Sequence, residues 1–443
     1  MKFNIFILTF FILSITLNAQ ESNTFSLKQA IDYAIEHSSA SKNATRDIEA
    51  AVQRKWETTA TGLPQISAEI SYNHWLQQQV QLLPAEFVGG TPGEYIEATF
   101  GTVESMTATA TLNQLLFDGS YLVGLQSAKV YLEISENAKI KTDLEVRKAV
   151  INAYGNVLLA QESVLILEKN ITNLEKTLFE TEETFKNGLT EQENVEQLQI
   201  TLSNVENGLR NATRMVDLSK KLLNITLGID LTNPLILSET LSDITTSSTN
   251  LSAISTTTVV ENTIDYKIAN NEMVSNQLLW KLEKSKALPT LSAFINGQYA
   301  GYGDTFTFNK KDQKWLGSSL VGVKLNVPIF SSLGRTAATK RAEINFDKSE
   351  ESLSQTIQEI QLSITKAKSD YQFSIENLGT SQKNLGLAER IEHKNNIKFT
   401  EGISSSFELR QAQLQLYSSQ NEYLQAMLDV IVKKAELDNV TNK

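Results

Sequence analysis

From Gly62 to Phe117 the chain alternates between apolar and polar positions. Ile66, Ala68, Ile70, Tyr72, Leu76, Val80 and Leu82 fall on one side, and Gln65, Ser67, Glu69, Ser71, Asn73, Gln77, Gln79 and Gln81 on the other. A period of two is the mark of a strand with one apolar face. The return stretch does the same, Met106, Ala108, Ala110 and Leu112 against Thr107, Thr109, Thr111 and Asn113. The pattern recurs, shortened, from Ala287 to Phe330. There Leu291, Ala293, Ile295, Gly297 and Tyr299 stand against Ser292, Asn296 and Gln298, and Val321, Val323, Leu325 and Val327 against Lys324 and Asn326. Each copy follows a Pro at the end of a helical pattern, Pro64 and Pro289. The first has about twelve more residues between its strands, the Pro84 to Gly93 segment, the kind of loop insertion that duplicates tolerate.

Around these strands the period changes to that of helices. Ser26-Leu27-Lys28-Gln29 reads as a capping box opening a helix that runs to about Gly62. Repeat 1, residues 20–237, then holds a hairpin over 65–116, a long helix over 118–186, a break at Lys186-Asn187-Gly188-Leu189-Thr190 and a helix over 190–228. At 1.5 Å per residue the long helix reaches on the order of 100 Å. A Ser/Thr-rich connector without helical period or core pattern spans 238–258. Repeat 2, residues 259–443, repeats the order: helix, hairpin 290–329, long helix 333–399, a break at Glu401-Gly402-Ile403-Ser404 and a helix over 405–440. A duplicated unit overrides the domain count that length alone suggests.

Composition narrows the class. Lys2, the apolar run Ile5 to Leu17 and Asn18-Ala19-Gln20 read as a signal peptide, residues 1–19, and no other stretch approaches a membrane helix. There is no cysteine, which removes disulfides, thiol chemistry and an N-terminal lipid anchor. With 51 Asp and Glu against 40 Lys and Arg, the chain does not read as a nucleic-acid binder. His37, His74 and His393 are scattered: the first reads as solvated beside Glu36, the second as interfacial on a strand's apolar face, the third as part of a polar helix face. No phosphate loop or nucleophile motif is present, and the reading is of a protein without catalytic residues, metal or cofactor.

If the apolar strand face meets lipid, every backbone group needs a partner inside a closed barrel. Four strands cannot close one, whereas three copies bring twelve, around a lumen matching the Gln/Ser/Thr/Asn face. The helices carry Glu133, Glu136, Lys139, Lys141, Asp143 and Glu145, so they belong in water.

The duplicated order, with GLPQISAE and ALPTLSAF at the helix-to-strand joints, LLFDGS and VPIFSSLGR at the strand-to-helix joints, and FKNGLTEQENVEQLQ and FTEGISSSFELRQAQ at the breaks, resembles the TolC-like outer-membrane factors over essentially all of the mature chain. That resemblance implies a mainly α fold with a transmembrane β part: a homotrimer whose twelve-stranded outer-membrane β-barrel, four strands per chain, continues into a long periplasmic α-helical barrel. It implies the exit duct of a tripartite efflux pump or type I secretion system, partnered by a periplasmic adaptor (membrane fusion protein), an inner-membrane transporter acting through that adaptor, and outer-membrane lipid. By the same resemblance, Phe185, Gly188, Leu189, Phe399, Gly402 and Ile403 are adaptor-docking tips, while Pro64, Pro289, Phe117, Pro328 and Phe330 mark the joints between helix and strand. A plain helix turn, with Gly as left-handed cap and Phe packed beneath, also accounts for the tip residues, and the two readings are compatible. Family constrictions map to Glu408, Gln411 and Asn194. Only the first is acidic here and Ser404 stands where a base is expected, so the family's gate is altered. Glu408 reads either as a pore-facing carboxylate or as a residue favoured at a helix N-terminus. The rival readings are a passive porin, which would spend its chain on strands, and a periplasmic coiled-coil adaptor or structural protein, which would not duplicate the strand pair.

Overall fold

The computed structural model describes residues 23–442, so the expected signal peptide lies outside the described residues. In chain order the elements are β1 (Asn23–Phe25), α1 (Leu27–His37), α2 (Ser39–Ala60), β2 (Gln65–His74), β3 (Val80–Pro84), β4 (Tyr95–Thr99), β5 (Glu104–Phe117), α3 (Gly119–Lys186) and α4 (Gln192–Leu227). They continue with β6 (Leu235–Leu237), α5 (Leu241–Ser248), α6 (Ser252–Ser255), α7 (Ile264–Ser285), β7 (Thr290–Gly303), β8 (Trp315–Asn326), α8 (Gly334–Thr400) and α9 (Ser406–Thr441). Contacts divide the chain into two units, neither of which is a sequence repeat. One takes the chain up to Asp47, Glu136–Ala269 and Ser354–Lys443, the other Ile48–Ser135 and Asn270–Leu353.

In the first unit, helices bury a core in which Ala30, Ile31 and Ala34 of α1 meet Val150, Tyr154 and Val157 of α3, Leu223 and Leu227 of α4, and Met427 and Ile431 of α9. The capping box at Ser26 forms as read, its hydroxyl accepting from the Gln29 N–H and the Gln29 side chain accepting from the Ser26 N–H. The helix it opens does not run on to Gly62. It breaks at Ser38, where the backbone is extended and the turn around Gly228 abuts the backbone of His37 and Ser38. His37 is half-exposed but not simply solvated, stacking on Tyr33 with ring centroids 4.1 Å apart.

The connector is also structured. Thr240 and Asp243 form a capping box for α5, whose Leu241 and Ile244 are buried in the main core. Two tyrosines, one from each long helix, fasten the segments around it. The Tyr154 hydroxyl donates to Phe25 O at 2.9 Å, and the Tyr371 hydroxyl donates to Ser248 O at 2.5 Å while accepting from the Asn250 N–H at 2.9 Å. A short parallel pair, β1 with β6, closes the same region. One 18-residue window of α3 reaches a mean hydropathy of 1.3, membrane-like by length and composition, which corrects the expectation of no second apolar run. The α3 core residues named above explain the greasiness of that helix without a bilayer.

The second unit carries an antiparallel sheet in the order β2-β5-β7-β8. β2 stops at His74, so Leu76, Val80 and Leu82 do not extend its apolar face. Val80 and Leu82 instead belong to a separate hairpin, β3 with β4, inside the longer loop. β8 ends at Asn326, which leaves Pro328, Ile329 and Phe330 in an irregular joint rather than a strand.

Candidate functional site

The sheet is built as two chemically different faces. Register aligns Ile66, Leu112, Ile295 and Val321 in one row, then Ala68, Ala110, Gly297 and Ser319, then Ile70, Ala108, Tyr299 and Gly317, then Tyr72, Met106, Gly301 and Trp315. These rows climb from aliphatic to aromatic and end at His74 beside Glu104, whose imidazole Nδ1 and carboxylate Oε1 are 3.2 Å apart. The opposite face carries Ser67, Thr111 and Asn296 in one row and Glu69, Thr109, Gln298 and Ser318 in another, with Asn296 Nδ2 donating to Thr111 Oγ1 at 2.9 Å. Ile66 is 76% exposed and Val321 73%, so the apolar face is uncovered in the single chain at this row. Both outer strands, β2 and β8, have a free edge. An apolar face of this size with open edges is unsustainable in water and calls for lipid on the face and further strands at the edges.

The joints lie at one end of this sheet. After Phe117, Asp118 Oδ1 accepts from the N–H groups of Ser120 at 2.6 Å and Tyr121 at 3.3 Å, capping the first turn of α3. Pro64 and Pro289 sit directly before β2 and β7, four residues past the ends of α2 and α7, where a residue without an N–H cannot carry the helix on. Past β8, the Arg335 guanidinium donates to Pro328 O at 2.9 Å, bracing the joint that holds Phe330.

In the first unit the two helix breaks are near-copies. Gly188 and Gly402 both have φ of +72°, a left-handed value that a side chain resists. The Gly188 N–H donates to Phe185 O at 2.8 Å and the Leu189 N–H to Thr184 O at 3.1 Å; Gly402 does the same to Phe399 O at 3.0 Å and Ile403 to Lys398 O at 2.8 Å. This is the Schellman pattern, which leaves the residue after glycine at the apex. Leu189 and Ile403 are accordingly 79% and 77% exposed. The breaks face each other across a cleft of about 430 Å³ lined by Thr184, Leu189, Asn194, Phe399, Gly402 and Ser404 among others. Phe399 also packs on the cluster of Leu174, Leu198 and Leu409, whereas Phe185 stays exposed.

The three constriction candidates separate. Asn194 lines the cleft and donates to Thr190 Oγ1 at 2.8 Å. Gln411 is exposed on α9. Glu408 is exposed too, and its carboxylate closes a capping box, accepting from the Ser404 hydroxyl and from the Ser405 N–H at 3.2 Å. The Ser404 hydrogen bond, then the Ser405 N–H, hold its pKa below the ordinary carboxylate value. Sequence reasoning missed Arg410, whose guanidinium donates to Gln197 Oε1 at 2.7 Å and so ties α9 to α4. It also missed Glu392, whose carboxyl is pushed up by burial against an opposing effect of His393. Among the described residues no group of three or more His, Asp or Glu side chains is placed to hold a metal.

A sheet with one apolar face and one polar face, open at both edges and joined at one end to long helices, has the make-up of a piece of a larger membrane-embedded sheet. Residues 280–443 match the family model described as outer membrane efflux protein. A stretch of 160 residues is 24% identical to the alkaline protease secretion protein AprF of Pseudomonas aeruginosa, covering 36% of this chain and 32% of that one, so the match spans about a third of that relative. Among solved structures, CusC superposes with a TM-score of 0.73 at 16% identity, covering 94% of this chain and 91% of that one. The outer membrane protein VceC of Vibrio cholerae gives 0.71 at 14% identity, covering 94% and 95%. The CmeC outer membrane channel of Campylobacter jejuni gives 0.70 at 16%, covering 94% and 85%. Residues 280–443 are thus similar to the outer membrane efflux proteins, and over nearly its whole length the chain has the fold of the TolC-like outer-membrane channels.

Proposed function

We propose that this chain is one of three identical subunits of an outer-membrane exit duct. Three copies, joined β8 to β2, make a barrel of twelve strands; α3, α4, α8 and α9 with their symmetry mates make the wall of a periplasmic tunnel. Substrate reaches it from an inner-membrane transporter through a periplasmic adaptor that docks at the two tips, around Phe185, Gly188 and Leu189 and around Phe399, Gly402 and Ile403. The observation that carries this reading is the four-stranded sheet whose apolar rows stay in register while both edges remain open. Pairing β8 of one copy with β2 of the next is antiparallel, as barrel closure requires, because β2 and β7 run one way and β5 and β8 the other.

The sequence similarity to a protein named for protease secretion favours a secretion system as the inner-membrane partner. Co-purification from native membranes decides between a secretion transporter and an efflux transporter. The absence of native cysteine makes the trimer directly testable. Ser67→Cys on β2, combined in turn with cysteines along β8 such as Ser318→Cys, is expected to yield disulfide-linked species up to three chains. A complete scan giving only monomers removes the barrel.

A further inference from the structure

The loop between β7 and β8 does not project away from the sheet but folds back onto its apolar face. The position a side chain would take on Gly301 is filled by the Phe308 ring, 3.2 Å away, and by Gln313 Nε2, also 3.2 Å away. Gly301 belongs to the row of Tyr72, Met106 and Trp315 on the lipid-ready face. Phe308 is only 9% exposed there, its ring centroid 6.0 Å from Tyr72, 5.4 Å from Phe306 and 6.1 Å from Trp315. Gln313 fixes the return, accepting from the Thr307 hydroxyl at 2.5 Å and donating to Tyr302 O at 3.3 Å.

Two consequences follow from this fold-back. From Leu291 to Gly301, β7 climbs about 33 Å along its length, or roughly 25 Å after a tilt of about 40°, which is the height of a barrel's apolar band. The Tyr72 to Trp315 row therefore marks the bilayer edge distant from the helices, that is, the outer leaflet, where aromatic side chains belong. The pinned loop also holds Lys310, Lys311 and Lys314 exposed at that edge, and none of the three makes an ion pair among the described residues. Against them the loop has Asp304, engaged by the Val103 N–H at 3.4 Å, and Asp312. The loop is therefore net cationic in a chain whose formal charge is −11.

We propose that the β7–β8 loop is a docking site for the phosphate groups of an outer-leaflet glycolipid, with Lys310, Lys311 and Lys314 as the cations and Phe308 as the anchor that sets their height. Aromatic side chains at headgroup level and unpaired lysines beside them match the two parts of such a lipid, its acyl–sugar boundary and its phosphates. The inference rests on the outer-membrane reading above.

The test uses the full-length mature protein purified in mild detergent. Adducts with bis-phosphorylated lipid A, and with the same glycolipid stripped of phosphate, are counted by native mass spectrometry. The wild type is expected to retain the phosphorylated lipid selectively and to lose it as salt rises. Lys310→Gln, Lys311→Gln and Lys314→Gln together should weaken retention by about tenfold to a hundredfold. Phe308→Ala keeps every lysine and should lose the selectivity once the loop is no longer held down. Unchanged retention in the triple variant, or equal retention of the phosphate-free glycolipid by the wild type, overturns the proposal. Flotation of each protein with lipid vesicles separates the two levels: a wild type that fails to float refutes the membrane reading, while one that floats without phosphate preference refutes only the docking site.

Discussion

Glu408 shows how one side chain can satisfy two descriptions. Its carboxylate completes the capping box of α9, and the same exposed position is where the resemblance places a constriction. Charge removal separates the roles. Glu408→Gln keeps the shape and should reduce cation block of the channel if the three carboxylates face the lumen; unchanged single-channel conductance and block leave only the cap. Because Ser404 and Ser405 hold its pKa down, the stabilising contribution of Glu408 is present above the ordinary carboxylate pKa and lost as pH falls through the lowered folded value. Glu392 has the opposite sign. Burial raises its folded pKa, so its contribution is complete below the ordinary value and declines as pH rises through the raised one. Glu392→Gln should therefore raise the thermal midpoint near about pH 8 and give no gain near about pH 4. The cap was legible, since Ser405 and Glu408 stand at capping-box spacing ahead of an apolar pattern. The burial of Glu392 was not, because it depends on α9 packing beside α8, and Tyr417, whose own pKa is raised by burial and by Glu392, gives no sign of that in the sequence.

Among the elements, legibility followed the source of the ordering. The strands of the main sheet could be read because their period of two is imposed locally by which face meets lipid and which meets the polar side. The tips could be read because glycine is needed where φ turns positive. The break at Ser38 has neither Gly nor Pro and is set by the approach of the chain around Gly228, a contact across most of repeat 1. The connector was misjudged as structureless because its Ser/Thr content masked the Thr240 to Asp243 capping box and the two apolar residues within the turn it opens. Removing that cap with Thr240→Ala should destabilise the first unit by about 1 kcal/mol. Leu241→Ala, which empties a site only 1% exposed, should cost about 2–5 kcal/mol, both measured by denaturant unfolding in detergent. β3 was read as a continuation of β2 because Val80 and Leu82, with Gln79 and Gln81 between and before them, carry on its alternation without marking where one sheet stops and the next begins.

At the level of the whole molecule, the two-faced sheet makes neighbouring residues behave differently. Val321 lies in the apolar row with Ile295, and Leu320 lies opposite Asn296 on the polar face. Val321→Arg puts a charge near the middle of the apolar band and should cost about 2–4 kcal/mol of membrane stability. Leu320→Arg should insert normally and change conductance instead, a contrast read by heat-stability of the assembled protein and by planar-bilayer recording.

The two halves of the chain differ least in their helices and most in their outer loops. α3 and α8 have 68 and 67 residues and α4 and α9 have 36 each, whereas only the first half carries the β3–β4 hairpin. In a ring of three such chains the helical end would present six nearly equivalent tips, while the outer mouth would alternate long flaps with short lysine-bearing ones. A ligand binding at the mouth should thus saturate at three per assembly, and one reading only the tip shape could reach six.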